Sequence, residues 1–345
     1  MAWSFIKHIT DYMSRPRLGN QKAPTLWPSE ASMILENEYG EKENIGKCRR
    51  AIFFRYLKDN YIFSEKYSHY KSLIEEIDKH GVDVDPYIRW IWVQGNLYED
   101  YLLNKAKESG VYIGDQTQVY IPKYNVSGKI DIIVINPETS KLSIVEAKSV
   151  YGFNANYVLG SPAERRNGKL GTPKNSYLMQ IGLYQYWYAN KNEEFEEAML
   201  VCGARDTGKY AEYKVKVEPD EEQDDEKNYV WYRGHYPNTT LWVNSKIAIE
   251  NILEQYKYIQ DSLDSAVIPK RDFDIVYSDE KIDTLYERGL LNKSETTRYE
   301  KRKKQIEDGK TRINKKIEKG DWQCNFCNYK NLCYDSNQDP KEIST

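Results

Sequence analysis

The chain lacks the marks of a membrane or secreted protein. Its longest apolar runs, such as 130–135 and 198–202, are far too short to cross a bilayer. The first ten residues show no basic stretch followed by an apolar block, so no secretory signal is evident. Five cysteines are an odd number, which argues against a framework of disulfides. These absences predict a cytoplasmic protein with no membrane partner.

Familiar nucleotide and histidine-metal motifs are also missing. The four histidines show no metal-ligand spacing, and no internal repeat is present. Residues 203–209 nearly match a phosphate-binding loop, but Tyr210 stands where Ser or Thr is required. An alternating strand pattern follows where a helix should begin. We therefore interpret 203–209 as a hairpin turn, and any helicase motor must be another chain.

Composition and charge describe a globular protein with uneven electrostatics. A chain of 345 residues, 40% hydrophobic and 30% charged, can bury a sizeable core as one elaborated domain or as two. The net charge is −3, yet residues 218–226 hold seven acids and no base, so the rest carries +4. Residues 298–319 hold ten bases and four acids. Such a basic segment suits phosphate binding, although a solvated charged helix explains it equally well.

Hydrophobic periodicity predicts helices in the first third of the chain and again towards its end. Ser29 is the expected N-cap of the first helix. In the helix that begins at Pro86, Trp90, Val93, Leu97 and Tyr101 recur at helical spacing. The predicted helices cover about 30–38, 48–61, 86 onwards, 175–190 and 246–263, with helical tendency over the charged stretch 281–319.

The middle of the chain changes to the period of β-strands. The predicted strands are 117–122, 129–136, 142–147, 198–202 and 210–217. The first three should form an antiparallel meander, with Gly128 in the first connection and Asn136-Pro137 in the second. The acidic run 218–227 is expected as a surface loop. The order of elements predicts an α/β or α+β fold with a mixed central sheet flanked by helices.

Two acids and a lysine coincide on the second and third of these strands. Asp131 opens one apolar strand, and Glu146 lies at the end of the next, two residues before Lys148. Side chains two apart on a strand point the same way, and a short hairpin brings Asp131 beside Glu146. Buried charges need mutual pairing or a metal. This cluster suits Mg²⁺ or Mn²⁺. The alternative is a surface strand whose polar face happens to carry these charges.

Helices on both sides of the meander carry matching polar pairs. Gln180 and Tyr184 lie one turn apart on the helix after the strands, and Gly95 and Glu99 have the same spacing on the helix before them. Glu99 is a candidate third carboxylate. Taken singly, Gln180 and Tyr184 are more typical of helix-surface and core positions.

The cysteines predict a second metal site. Cys324, Cys327 and Cys333 form a C-x2-C-x5-C motif near the end of the chain, one ligand short of a tetrahedral set. Cys48 is the candidate fourth ligand, whereas Cys202 lies in an apolar strand and is expected in the core. The spacing alone leaves structural zinc and a [4Fe–4S] cluster both open.

Taken in order, these motifs resemble the RecB-like branch of the PD-(D/E)XK nucleases, over roughly 90–215. That branch has the order G-x-x-x-(H/E), G-x-(I/V)-D, (D/E)-x-K and Q-x-x-x-Y, and it usually carries histidine where Glu99 stands here. Cys48 followed by Arg49-Arg50 and aromatics, with the distant C-x2-C-x5-C, resembles the iron–sulfur staple of RecB-like nucleases. These include the CRISPR-associated RecB-like family, AddB-type nucleases and eukaryotic nuclease-helicases. The combined resemblance covers about 29–335, and Arg49 replaces a frequent proline.

The resemblance implies a restriction-endonuclease-like core and a Mg²⁺- or Mn²⁺-dependent deoxyribonuclease. It implies exonuclease action on single-stranded DNA or duplex ends, in recombination, repair or phage replication in a bacterial or phage-infected cell. The implied catalytic residues are Asp131, Glu146, Lys148, Gln180 and Tyr184. The implied metal ligands are Glu99, Asp131, Glu146 and the Ala147 carbonyl. The implied ligands of a [4Fe–4S] cluster are Cys48, Cys324, Cys327 and Cys333.

Further expectations concern DNA contacts, partners and domains. Arg165, Arg166, Lys169 and Lys174, in a loop predicted over 154–175, are candidate DNA contacts, or else solvated lysines and arginines on a mobile loop. DNA is the expected substrate, with a helicase or recombination protein as a further partner. The expected domains are an N-terminal helical segment over 1–85, a nuclease core over 86–217 and a C-terminal helical region over 218–345. The alternatives are a sequence-specific endonuclease and a DNA-end-binding subunit of a helicase–nuclease or CRISPR-adaptation complex.

Overall fold

The computed structural model describes most of the chain. The described residues are 25–60, 70–80, 86–191, 194–220, 222, 224–236 and 241–334. Residues 1–10, over which the sequence shows no secretory signal, lie outside this part. No helix among the described residues is long and apolar enough to cross a membrane.

A seven-stranded mixed sheet forms the centre of the molecule. Its strands lie side by side in the order in which the chain makes them. β5 and β6 run parallel, and all other neighbouring pairs are antiparallel. The strands are β3 (Tyr112–Ile121), β4 (Val126–Ile135), β5 (Leu142–Val150), β6 (Phe195–Ala204), β7 (Tyr210–Asp220), β8 (Asp224–Tyr236) and β9 (Val243–Ala248). The predicted mixed sheet flanked by helices is confirmed.

The sheet extends further than its sequence pattern indicated. The acidic run 218–227, expected as a surface loop, belongs mostly to β7 and β8, and only a short turn separates these strands. β7 and β8 pair from Glu212↔Tyr236 to Asp220↔Asp224. The loop prediction was therefore wrong, because pairing with a neighbouring strand outweighed the low strand preference of the acids. The expected domain boundary at residue 217 falls inside β7.

A β-hairpin replaces the helix predicted over 30–38, so that prediction was wrong. Pro28–Glu30 form one 3₁₀ turn, and β1 (Ser32–Glu36) then pairs with β2 (Lys42–Gly46). The turn is built by Asn37, whose Oδ1 accepts hydrogen bonds from the backbone N–H groups of Tyr39 and Glu41. Asparagine favours this conformation because its side chain mimics a backbone turn.

The helices pack around the sheet largely where periodicity predicted them. The helices predicted from Cys48, from Pro86, over 175–190 and over 246–263 are confirmed. The described helices are α1 (Arg49–Asn60), α2 (Lys71–His80), α3 (Pro86–Glu108), α4 (Gly152–Leu159), α5 (Pro162–Arg166), α6 (Asn175–Ala189), α7 (Ile249–Asp264), α8 (Asp279–Glu287), α9 (Lys293–Glu307), α10 (Trp322–Asn325) and α11 (Lys330–Tyr334).

The apolar core has one large and one small part. α6 buries an unbroken run from Leu178 to Gln185, and α7 packs against it through residues such as Ile252 and Tyr256. α8 and α9 share a separate small cluster around Ile282, Leu291 and Ile317. Within the charged stretch 281–319, helix is confirmed up to Glu307, whereas residues 308–319 are not helical.

Candidate functional site

Asp131 and Glu146 face each other at the end of the β4–β5 ladder. The register of this pair runs from Ile135↔Leu142 to Ile132↔Val145, and the next position along brings Asp131 opposite Glu146. The Ala147 backbone N–H donates to Asp131 Oδ2 at 2.9 Å. The hairpin therefore sets two carboxylates side by side, as the sequence predicted, and one backbone amide already holds Asp131 in place.

Lys148 joins the same face two residues further along β5. Its Nζ lies 2.5 Å from Glu146 Oε1 in an ion pair. Glu146 is only 1% exposed, and its second oxygen, Oε2, is buried without a hydrogen-bond partner. A buried carboxylate oxygen without a partner is costly. Oε2 can therefore accept a positive ligand beside Lys148.

Asp131 and Glu146 are buried close together, where little water can stabilise their negative charges. Burial raises the pKa of Glu146 to about 8 against the lowering effect of Lys148, and Asp131 adds to the rise. Burial likewise raises the pKa of Asp131, which Lys148 and the Ala147 amide oppose. Burial lowers the pKa of Lys148, but the carboxylates of Glu146 and Asp131 raise it more. A divalent cation would favour the ionised form of both acids.

Glu99 reaches this cluster from α3. Burial raises its pKa to about 7, and the negative charge of Asp131 contributes to that rise. Gln116 Nε2 donates to Glu99 Oε1 at 2.6 Å. The helix approaches the sheet through Tyr98, because a Cβ on Gly203 would lie 2.4 Å from the Tyr98 ring. Only a glycine at the end of β6 allows α3 to approach this closely.

Gln180 and Tyr184 are both buried on α6, and Gln180 Nε2 lies 3.4 Å from Tyr184 Oη. Burial raises the pKa of the Tyr184 hydroxyl, and the Glu146 carboxylate adds to this. A Cβ on Gly128 would lie 2.8 Å from Tyr184 Oη. Gly128 lies within β4 rather than in the connection expected for it. This glycine therefore makes room for Tyr184 beside the strand that carries Asp131.

Tyr177 is a neighbour of the centre that the motifs did not single out. Its ring centroid lies 5.7 Å from Lys148 Nζ and 5.6 Å from Lys174 Nζ. Burial lowers the pKa of Lys174. The signal in the sequence was its position three residues before Gln180, on the first turn of α6. Tyr177 thus links the lysine of the cluster to a second lysine.

The loop predicted over 154–175 is half helical, because α4 and α5 occupy residues 154–159 and 162–166. The structure separates the four basic residues predicted there. Lys174 lines a cavity together with Tyr177, whereas Arg165, Arg166 and Lys169 do not line it. Of the four, Lys174 is the one that the fold brings near Lys148.

That cavity, of about 1050 Å³, is also lined by all four predicted cluster cysteines. Cys48 precedes α1, Cys324 lies on α10, Cys327 follows it and Cys333 lies on α11. Burial raises the pKa of the Cys48 thiol to about 12, and Asp272 adds to this. The fifth cysteine, Cys202, is fully buried in β6, as predicted.

Two arginines after Cys48 hold the cysteine region together. The Arg49 backbone N–H donates to Asp272 Oδ2 at 2.6 Å, and Arg49 Nε donates to Asp272 Oδ1 at 2.7 Å. A proline at this position would have no N–H to donate. Arg50 Nη1 lies 3.9 Å from Cys333 Sγ, and Arg271 Nη2 donates to the Cys333 carbonyl at 2.6 Å. These contacts join the start of α1 to the end of the described chain.

Both regions carry the kinds of donor atoms that bind metals. Among the described residues, no group of three or more His, Cys, Asp or Glu side chains meets the geometry of a metal site. The donor chemistry fits in both places. The unpartnered Glu146 Oε2, with Asp131 and Glu99 nearby, suits a hard cation. Four thiols around one cavity suit a zinc ion or an iron–sulfur cluster.

Comparison with known proteins adds little to this picture. No protein-family profile and no curated protein matches the chain. Among solved structures, the chain is similar to one titled "Crystal structure of SSO0001", at 13% sequence identity and a TM-score of 0.35. The match covers 75% of this chain and 87% of that chain. A likeness this weak carries no argument about fold or function.

Proposed function

We propose that the protein is a metal-dependent deoxyribonuclease of the PD-(D/E)XK type, acting as an exonuclease on single-stranded DNA or duplex ends. One observation carries this proposal. Asp131, Glu146 and Lys148 converge where the ladder between two adjacent strands ends, and the buried Glu146 Oε2 has no hydrogen-bond partner within the protein. Two buried acids beside one lysine leave an excess of negative charge that a divalent cation would balance.

Asp131, Glu146 and the Ala147 carbonyl are the residues proposed to hold Mg²⁺ or Mn²⁺, with Glu99 assisting from α3. When bound, such an ion polarises a phosphate and makes water a better nucleophile near neutral pH. Lys148 remains protonated beside the acids and would stabilise the negative charge that develops on the phosphate. Gln180 and Tyr184 would orient Lys148 or contact the nucleic acid.

The cysteine-lined cavity is proposed to hold a [4Fe–4S] cluster through Cys48, Cys324, Cys327 and Cys333. The common cavity supports a single four-thiolate site, and the resemblance to RecB-like nucleases favours the cluster over zinc. Its role is structural, since these ligands join residues at opposite ends of the described chain. A DNA partner and a helicase or recombination partner are proposed on the same resemblance.

Replacing Lys148 tests the proposed chemistry. End-labelled single-stranded and duplex DNA are incubated with Mg²⁺ or Mn²⁺, and products are followed over time. We expect Lys148→Ala to slow cleavage by about 100- to 1,000-fold, because it removes one charge-stabilising group. The matched control is Lys214→Ala, which breaks the Lys214–Glu197 pair elsewhere in the same sheet. That control should cut at the wild-type rate.

The same assay separates the alternatives. Wild-type cleavage by Lys148→Ala would rule out the proposed mechanism. Cutting confined to one DNA sequence would favour a site-specific endonuclease. Tight binding of DNA ends by the wild type, with no cutting in either metal, would indicate a DNA-end-binding subunit.

A further inference from the structure

Three large aromatic side chains near the cysteine region are strongly exposed. Phe153 is 83% exposed, Phe326 is 77% exposed and Trp322 is 67% exposed. Burying a Phe side chain contributes about 1.5–3 kcal/mol, so folding alone gives no reason to leave these rings in solvent. By contrast, Phe53 in α1 is completely buried. Clustered exposed rings indicate a surface that contacts something else.

These rings line the same cavity from two separate segments of the chain. Phe153 comes from α4, whereas Trp322 and Phe326 come from the cysteine motif. Trp322 and Phe326 meet edge to face, with ring centroids 6.4 Å apart. Exposed aromatic side chains from both segments thus border the cavity.

The lining of the cavity is positively charged. Five cationic side chains border it, and Glu30 is the one acid among its lining residues. Arg55 is paired with Glu30, so the excess charge comes from the other four. These are Lys47, Lys174, Arg271 and Lys330. The occupant should therefore carry several negative charges as well as flat apolar faces.

The cavity comes close to the carboxylate–lysine centre at Tyr177. Tyr177 lines it, and the ring of Tyr177 lies 5.7 Å from Lys148 Nζ. A polymer lying in the cavity therefore comes within one side chain of the lysine proposed to act on phosphate.

We propose that the exposed rim of this cavity, outside the cysteines proposed to hold the cluster, binds unpaired nucleotides of a single nucleic-acid strand. The bases stack on Phe153, Trp322 and Phe326, and the surrounding lysines hold the phosphates. Base–aromatic stacking tolerates any sequence, because every base has a π-face. A duplex covers those faces, so exposed aromatic rings select the unpaired strand, whereas cations alone would bind both forms. The inference rests on the proposed nuclease function for its substrate and deepens it by naming how single strands are selected.

Fluorescence anisotropy on the full-length protein tests this inference. The probes are a labelled oligothymidylate and a strand of the same length with abasic sites, both without added divalent cation. Removing a stacking ring costs about 1–3 kcal/mol per base. We therefore expect Trp322→Ala and Phe153→Ala each to weaken oligothymidylate binding by about 5- to 150-fold. Binding of the abasic strand, which keeps the phosphates, should change by less than about twofold.

Two further variants guard against a folding artefact. Trp322→Phe keeps a ring and should restore most of the affinity. Trp92→Ala removes another exposed aromatic, on α3 and outside this cavity, and should bind as the wild type does. Wild-type affinity in both cavity variants, or equal losses with the abasic strand, would overturn the proposal.

This binding result and the cleavage result of Lys148→Ala are independent. Normal binding by the aromatic variants overturns the stacking surface and leaves the nuclease untouched. Full cleavage by Lys148→Ala overturns the nuclease mechanism and leaves the stacking surface intact.

Discussion

The two candidate sites of this protein differ in how the chain builds them. Asp131, Glu146 and Lys148 lie within eighteen consecutive residues, on two strands joined by a short hairpin. The cysteine-lined cavity instead joins Cys48 to a motif that begins at Cys324. The first site is a local product of strand register, and the second exists only when distant parts of the fold meet.

That difference implies different roles. The carboxylate–lysine cluster buries charge at a cost, as the pKa of about 8 for Glu146 indicates. Residues that pay such a cost are frequent at functional sites. The cysteine region instead closes a long loop of chain, and a link that closes a long loop stabilises the folded state most. Loss of the first site should therefore affect activity, and loss of the second should affect the fold.

The largest expected effect on stability follows from Cys324→Ser. If four thiolates hold a [4Fe–4S] cluster, removing one ligand should abolish the brown visible absorbance and lower the melting temperature by about 5 °C or more. Absorbance spectra and thermal unfolding under anaerobic conditions measure both. Cys202→Ala is the matched control, since this buried thiol lies in β6 outside the cavity. A colourless wild-type protein with stoichiometric zinc would contradict the cluster.

An effect of intermediate size is the pH dependence of the stabilisation that a divalent metal ion provides. In the metal-free protein, Glu146 and Glu99 have raised pKa values of about 8 and about 7. A raised carboxyl pKa contributes stability below the unfolded value, and this contribution is lost as pH rises through the folded value. Metal must displace the bound protons at low pH. The rise in melting temperature caused by Mn²⁺ should therefore be larger at about pH 8.5 than at about pH 6.

Glu146→Gln serves as the control for this pH effect. The amide does not titrate, so the Mn²⁺-induced rise should become small and nearly independent of pH. A rise that is equally large at both pH values in the wild type would show that these carboxyls do not bind the metal.

The smallest expected effects are the stability changes caused by replacing Gly128 and Gly95, the two glycines of the sequence motifs. Gly128→Ala should destabilise the protein by about 1–3 kcal/mol, because the new Cβ collides with Tyr184 Oη and Pro28. Gly95→Ala meets nothing within 4 Å and lies inside α3, so it should stabilise by about 0.5–1 kcal/mol. Chemical denaturation measures both. Opposite signs are the essential result, and equal destabilisation would show that Gly95 has a packing role.

Much of the fold was predictable because it follows from local patterns. Alternation and apolar runs located five strands of the central sheet, and helical periodicity located α1, α3, α6 and α7. The β1–β2 hairpin was missed because its strands are short and because Ser29 resembles a helix N-cap. β8 was missed because its first residues are acidic, and only pairing with β7 makes them a strand.

By itself, the sequence determined the carboxylate–lysine cluster. The period of a strand places Glu146 and Lys148 on one face, and a short hairpin sets Asp131 opposite Glu146 whatever the rest of the chain does. Only the tertiary structure decided that Tyr98 packs on Gly203, which brings the neighbouring Glu99 towards the cluster. It likewise placed Tyr177 beside Lys148. It also decided that the four cysteines and three exposed rings border one cavity. Contacts of that kind depend on which faces pack together across long stretches of chain, and no local spacing records them.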